Sequence, residues 1–328
     1  MHSYKNRGTK LVALASASVV AVVSLLAACS DTPARQCRVG ADCTSGVCAS
    51  DGTCALPSVP PGGDGGGGPN DDAMPTTDGG GSETSTDAAV SGCSPNKDGI
   101  ITRDEVPIAA GLHATYKIGS NENINVHGVD GAGGKRAWDY SAPLPSDTSV
   151  LVETLPLTGK WYAADYPNAT YATKLTNSSD LLGIFETGPG SLLLRGVVSP
   201  APDAATKTEL TNTPAVSVLT FPLTLGAKWN TNTNVGGTAQ GTALFGTYTE
   251  AYTSEVDAAG TLKTPLGTFD VLRVKTVLVR TIGLLPSETY RTFAFVTECY
   301  GTIATVSSAK NDMNVEFTTA AEIRRISP

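Results

Sequence analysis

The sequence predicts a mainly β domain, an antiparallel sandwich or a curved, partly open barrel, preceded by a small disulfide-rich module and a disordered tether. Three observations predict it. Runs rich in Val, Thr, Tyr, Phe and Leu recur through residues 93–328, several alternate with period two, and turn residues separate them at short intervals. No amphipathic helix longer than about three turns is evident, and no strand–helix alternation of the βαβ kind.

The chain has 328 residues with 35 Gly and 20 Pro, a composition that leaves room for one folded domain beside long stretches of linker and turn. Residues 1–28 read as a secretory signal: Lys5, Arg7 and Lys10, with no acidic residue among them, precede an apolar run from Leu11 to Leu26. The end of that run, "LLAAC", resembles the bacterial lipobox. The resemblance implies cleavage before Cys29 and acylation of its thiol, with residues 29–36 as the lipidated N-terminus. A simple secreted protein cut after an A-x-A-like site is the alternative. Acyl chains contribute roughly 0.8 kcal/mol per buried methylene, so the lipid anchors the chain to a membrane without a protein span. Ser30 follows Cys29 where an inner-membrane retention signal often carries Asp, which makes the outer membrane the expected address, on either face. Loss of residues 1–28 removes three basic groups and no acidic one, moving the formal charge from −8 to about −11, a poor match to nucleic acid.

Seven cysteines become six once Cys29 is lipidated. Cys37, Cys43, Cys48 and Cys54 cluster, whereas Cys93 and Cys299 stand apart. In an oxidising compartment the natural partition is two bridges within the cluster and one long-range bridge from Cys93 to Cys299. The cluster, residues 37–54, resembles the small Cys-rich modules near the N-termini of bacterial surface lipoproteins through its "DC-x-SG-x-C" core. Zinc is the rival reading, but no His lies nearby and the gaps exceed those of C-x2-C pairs. Three connectivities of the cluster stay open.

Residues 55–92 hold Gly, Pro, Ser, Thr and Asp with almost nothing to bury, and read as a flexible linker spanning roughly 35 Å on average. The β runs of residues 93–328 are "SVLVETL", "GSLLLRGVV", "AVSVLTFPL", "GTYTEAYTSEV", "FDVLRVKTVLVRT", "TYRTFAFVTE", "GTIATVSS" and "NVEFTTAAEI". Tyr248, Tyr252 and Val256 share one strand face, as do Leu272, Val274 and Leu278, and Pro265 with Gly267 marks a hairpin between them. The two hairpins over "GTLKTPLGTFDVLRVKT" and "YRTFAFVTECYGTIATV" are similar to hairpins of secreted and lipid-anchored β proteins of unknown function, some with a half-barrel like periplasmic lipoprotein carriers. That resemblance implies a curved sheet and transfers no activity.

The residues after Cys93 resemble an EF-hand loop. Its register implies calcium bound by Ser94, Asn96, Asp98, the carbonyl of Ile100, Thr102 through water and Glu105, with Gly99 at the sharp turn. Only Asp98 and Glu105 supply charge and the flanking helices are missing, so one weak structural site is expected, with Kd about 10⁻⁴ to 10⁻³ M. The competing reading is a T-x-x-E capping box from Thr102 to Glu105 opening a single helical turn.

Catalytic signals are sparse. His113 and His127 lie outside any HExxH, and Ser191 lacks the spacing of a nucleophile elbow. "VDGAGGKRAW" has the wrong glycine spacing before Lys135 for a P-loop and reads as a glycine-rich hairpin loop. Trp138, Trp161 and Trp229 are expected in the core, although a carbohydrate or lipid pocket could use them. The expected function is a lipid-anchored, non-catalytic envelope or cell-surface module that binds a protein, polysaccharide or lipid. One alternative is a carrier of an apolar ligand in a half-barrel, which needs an open cavity; a second is an extracellular hydrolase, which needs convergent catalytic groups.

Overall fold

The computed structural model describes residues 93–244 and 248–328. In chain order the strands are β1 (Ile100–Ile101), β2 (His113–Asn123), β3 (Val129–Asp130), β4 (Arg136–Asp139), β5 (Thr148–Glu153), β6 (Tyr171–Lys174), β7 (Leu182–Thr187), β8 (Ser191–Val198) and β9 (Glu209–Thr220). They continue as β10 (Leu223–Thr224), β11 (Lys228–Ala239), β12 (Thr242–Ala243), β13 (Tyr248–Lys263), β14 (Thr268–Ile282), β15 (Glu288–Thr297), β16 (Gly301–Ser308) and β17 (Thr319–Ile326). The only helical segments among the described residues are three-residue 3-10 turns.

Most strands join one antiparallel sheet in the order β5-β2-β17-β16-β15-β14-β13-β11-β9-β8-β7-β6. Its two ends meet at a single rung, where Leu155 and Ala172 exchange backbone hydrogen bonds of 2.7 and 2.9 Å. The sheet is therefore curved and nearly closed, as the alternating runs and short turns predicted.

The predicted hairpin is the longest pairing in the fold. Strands β13 and β14 run in register from Tyr248↔Ile282 to Lys263↔Thr268, and Thr264 and Gly267 close the turn with reciprocal backbone bonds of 2.8 and 3.2 Å. A bulge between Val256 and Ala258 changes the parity of β13. Val256 belongs to one core cluster, with Leu272, Val274 and Val296, and packs with Tyr171, Phe185, Leu192 and Leu219 from the far part of the same sheet. Ala258 and Leu262 belong to the other, with Val271, Phe293, Phe295, Trp138 and Tyr140. Strands covered on both faces read as near-continuous apolar runs, which is why "FDVLRV" lacks clean alternation.

The second layer is held by one pairing outside the predicted antiparallel scheme. Strand β4 lies parallel to β13 with Arg136 opposite Gly260. A Cβ at Gly260 would sit 1.7 Å from the Arg136 carbonyl oxygen, so this backbone approach requires glycine. Trp138 on β4 is thereby seated in the core, 3% exposed, its indole N–H donating to the Val126 carbonyl at 3.0 Å.

Two predicted runs differ from the observed strands. "AVSVLTFPL" is divided at Phe221–Pro222, with only its last residue, Leu223, in β10, which pairs with β1. "NVEFTTAAEI" begins as a turn, because Phe317 turns into the core beside Phe293 and pairing starts only at Thr319.

Candidate functional site

Cys29 and the cluster Cys37, Cys43, Cys48 and Cys54 lie outside the described residues, as do the signal, lipidated N-terminus, Cys-rich module and linker. Cys93 and Cys299 are joined by the expected disulfide, with Cα atoms 5.5 Å apart. Around it the entering segment is pinned to the β15–β16 turn. The Cys299 N–H donates to the Glu105 carbonyl at 2.7 Å, and the buried Glu298 carboxylate accepts from the Lys97 N–H at 3.2 Å.

The stretch from Ser94 to Glu105 forms the capping box. One oxygen of Glu105 accepts from both the N–H and the hydroxyl of Thr102 at 2.8 Å, and the other accepts from the Asn96 amide at 2.7 Å. Asn96 and Asp98 in turn accept from the N–H groups of Asp98 and Ile100. The oxygens of the predicted calcium register are thus turned toward protein donors, and no group of three or more His, Cys, Asp or Glu among the described residues is placed to hold a metal. Ser94 is exposed at the start of the segment and makes no side-chain hydrogen bond among the described residues.

The other candidates serve the fold. His127 pairs with Asp130 at 3.3 Å, His113 is exposed at the start of β2, and no hydrogen bond links either to Ser191. The glycine-rich stretch is the β3–β4 hairpin, closed by the Gly131 N–H on the Lys135 carbonyl at 2.8 Å. Trp161 and Trp229 donate to the carbonyls of Ser199 and Ser217 at 3.2 and 2.9 Å.

The apolar half of the concave face, where an apolar carrier would hold its cargo, is occupied by the chain's own side chains. It is the cluster around Val256, Leu272 and Val274, into which Ile101, Val106, Phe221 and Leu223 pack. The polar half is organised by Glu250, 5% exposed, which accepts from Tyr248 and Tyr252 hydroxyls at 3.0 and 2.6 Å and from Arg280 at 2.8 Å. Burial, then the Glu250 charge, pushes the Tyr252 hydroxyl well above its usual range, so it stays protonated as a donor. This network satisfies itself.

Two recesses of similar size are open among the described residues: one of about 240 Å³ beside Glu250, lined by Thr233, Thr249, Ala251 and Val279, and one at the seam, which alone has apolar walls on two strand edges. Beyond the Leu155–Ala172 rung, β5 and β6 part around a cleft of about 250 Å³ walled by Ile118, Val150, Val152, Leu155 and Leu182, with Leu151, Glu153, Lys174, Thr176, Asn177, Asp180, Pro200 and Arg324 also in its lining. Thr154 exchanges its backbone bonds with Gly111 and Leu112, on the β2 side. By the alternation of an antiparallel ladder, Val152 and Val150 also face β2, whereas the N–H and C=O groups of Glu153, Leu151 and Ser149 face the seam. On the opposite edge Ala172 faces the seam, and so therefore does Lys174.

The cleft lining carries two cations and two carboxylates, and they differ in their pairing. Lys174 pairs with Asp180 at 3.0 Å and Arg324 with Glu322 at 2.7 Å, while Glu322 also accepts from the Asn177 N–H. Glu153 has no partner among the described residues, and Leu151 beside it is 56% exposed. Sequence reading identified the β5 run but not the seam, because which edges meet is decided by the closing of the whole sheet.

Fold and cleft define a class: a curved, nearly closed antiparallel β protein with an open seam. No protein-family model and no curated protein matches the chain. Among solved structures, a Bacteroides fragilis protein described as exported, with a YmcC-like fold, is similar over 73% of this chain and 97% of its own, at 10% identity and a TM-score of 0.34. A Parabacteroides distasonis protein described as a lipoprotein is similar over 69% of this chain and 97% of its own, at 11% identity and a TM-score of 0.33. Likenesses at these values carry no argument about this chain.

Proposed function

We propose that the protein is a lipid-anchored, non-catalytic binding module of the cell envelope, held in the outer membrane through Cys29, which presents the seam of its sheet to a ligand. The observation that supports this reading most is the cleft itself: an apolar recess flanked by two unpaired strand edges in a domain whose apolar core is already filled. Two measurements test it. Cys29→Ser is expected to move the protein from the membrane fraction to the soluble fraction; retention in high salt would remove the anchor. An apolar dye such as anilinonaphthalene sulfonate is expected to fluoresce on the folded wild type and severalfold less on Leu151→Asp, whose exposed position leaves the unfolding transition unchanged. Equal fluorescence from the two would show that the cleft is not the binding surface.

A structural calcium ion at residues 94–105 belongs to the same reading as an accessory. To bind it, Glu105 must turn from Thr102 and Asn96 to the ion. A rise in melting temperature at millimolar calcium, reversed by chelator and abolished in Glu105→Gln, would assign the ion. An unchanged transition would leave Glu105 to its cap.

A further inference from the structure

Edge strands in soluble proteins are ordinarily blunted by charge, proline, bulges or a covering segment, because an open row of N–H and C=O groups recruits another strand. Strand β5, "TSVLVE", has five uncharged residues before Glu153, no proline and no bulge. Its seam-facing main-chain groups stand across a cleft from those of Lys174. Leu151 and Glu153 lie two apart and so present an apolar and an acidic side chain on one strand face.

Resting on the binding-module reading, we propose that the seam takes an extended peptide by strand addition to β5, with an apolar residue set against Leu151 and a lysine or arginine against Glu153. Charge complementarity selects this occupant. Both cations of the cleft are held by other carboxylates, Lys174 by Asp180 within the lining and Arg324 by Glu322 beside it, so the carboxylate left to a ligand beside the apolar walls is Glu153. An added strand supplies the missing rungs with main-chain hydrogen bonds, and its alternate side chains meet Leu151 and Glu153 as cross-strand pairs, where opposite charges attract and like charges repel. An acyl chain would fill the apolar recess and leave the edge groups of Ser149, Leu151 and Glu153 unpaired.

The test is selection of displayed random eight-residue peptides on the full chain and on two variants. Wild type is expected to enrich sequences that alternate and carry Lys or Arg two positions from an apolar residue. Glu153→Lys is expected to turn the preference to Asp or Glu and to weaken peptides selected on wild type at least tenfold. Leu151→Pro removes only an N–H that faces the seam, a position where an edge strand tolerates proline, and is expected to lose binding while Leu151→Thr keeps most of it. Absence of enrichment, or enriched peptides indifferent to Glu153→Lys, would overturn the proposal. If the dye still binds wild type and not Leu151→Asp, that failure concerns the peptide alone; if the dye is also indifferent, the cleft reading falls with it. Concentration-dependent dimerisation abolished by Glu153→Lys, with no peptide selected, would replace the peptide by a second copy of this chain.

Discussion

Arg273→Ala is expected to destabilise the domain by about 3–5 kcal/mol, the range for removing one partner of a buried ion pair. Arg273 is fully buried in the second core layer. Its guanidinium donates to both oxygens of Asp257 at 2.9 Å, to Glu316 at 2.8 and 3.2 Å and to the Val126 carbonyl, and it lies 4.3 Å from the centre of the Phe293 ring. Removing it leaves two carboxylates facing each other beside Trp138 and takes from the Val126 carbonyl one of its two donors, the other being the Trp138 indole. Urea unfolding followed by tryptophan fluorescence measures the loss; a change under about 1 kcal/mol would show that water replaces the guanidinium without penalty.

The same triad predicts an acid response. Burial pushes the Glu316 carboxyl up, but Arg273, then Arg136, holds it below its usual value overall. A carboxyl depressed in the folded state adds stability that is fully present above the unfolded value, about 4.3, and is lost as pH falls through the folded value. Wild type should therefore lose stability below about pH 4 more steeply than Glu316→Gln, whose side chain carries no such proton linkage. Identical slopes would remove Glu316 from the acid response.

Cys299→Ala is expected to cost about 5 kcal/mol in the chain-entropy account, because the bridge closes a sequence separation of 206 residues, and at least about 2 kcal/mol by the range for native disulfides. The loss should appear as a lower urea midpoint, and reduction of wild type should reproduce it. The bridge also supports a local assembly: the Cys299 N–H on the Glu105 carbonyl and the Glu298 carboxylate on Lys97 hold Ile101 and Val106 in the apolar core. Hydrogen exchange should therefore rise first in residues 97–106. An unaltered midpoint would mean that these hydrogen bonds and the packing of Ile101 hold the segment unaided.

How much was legible depended on the range of the interaction. The β13–β14 hairpin was, since Pro265 and Gly267 stand between two long β-prone runs whose pairing is local. So was β16, which coincides with "GTIATVSS", and so was the Thr102–Glu105 capping box, a contact three residues long. Strand β11 was missed because "KWNTNTNVGGTA" has little intrinsic strand preference. It becomes a strand by lying between β9 and β13, with Thr231, Thr233 and Val235 buried on one face and Asn230, Asn232 and Asn234 exposed on the other. Strand β2 was missed for a related reason: "HATYKIGSNEN" mixes charges with its apolar residues, and β5 and β17 supply the pairing on its two edges.

By itself the amino-acid sequence determined the class of the domain, the shared face of Tyr248, Tyr252 and Val256 and the partner of Cys93, because period two and turn residues are properties of single segments and cysteine arithmetic needs only a count. Tertiary structure alone decided that β4 runs parallel to β13 over Gly260, that Arg273 becomes the centre of a buried triad, and that β5 and β6 meet at one rung and then part. The last of these is a closure condition on the whole sheet. Twist and bulges accumulate across every strand between its two edges, so whether those edges meet is written in no single stretch of the chain.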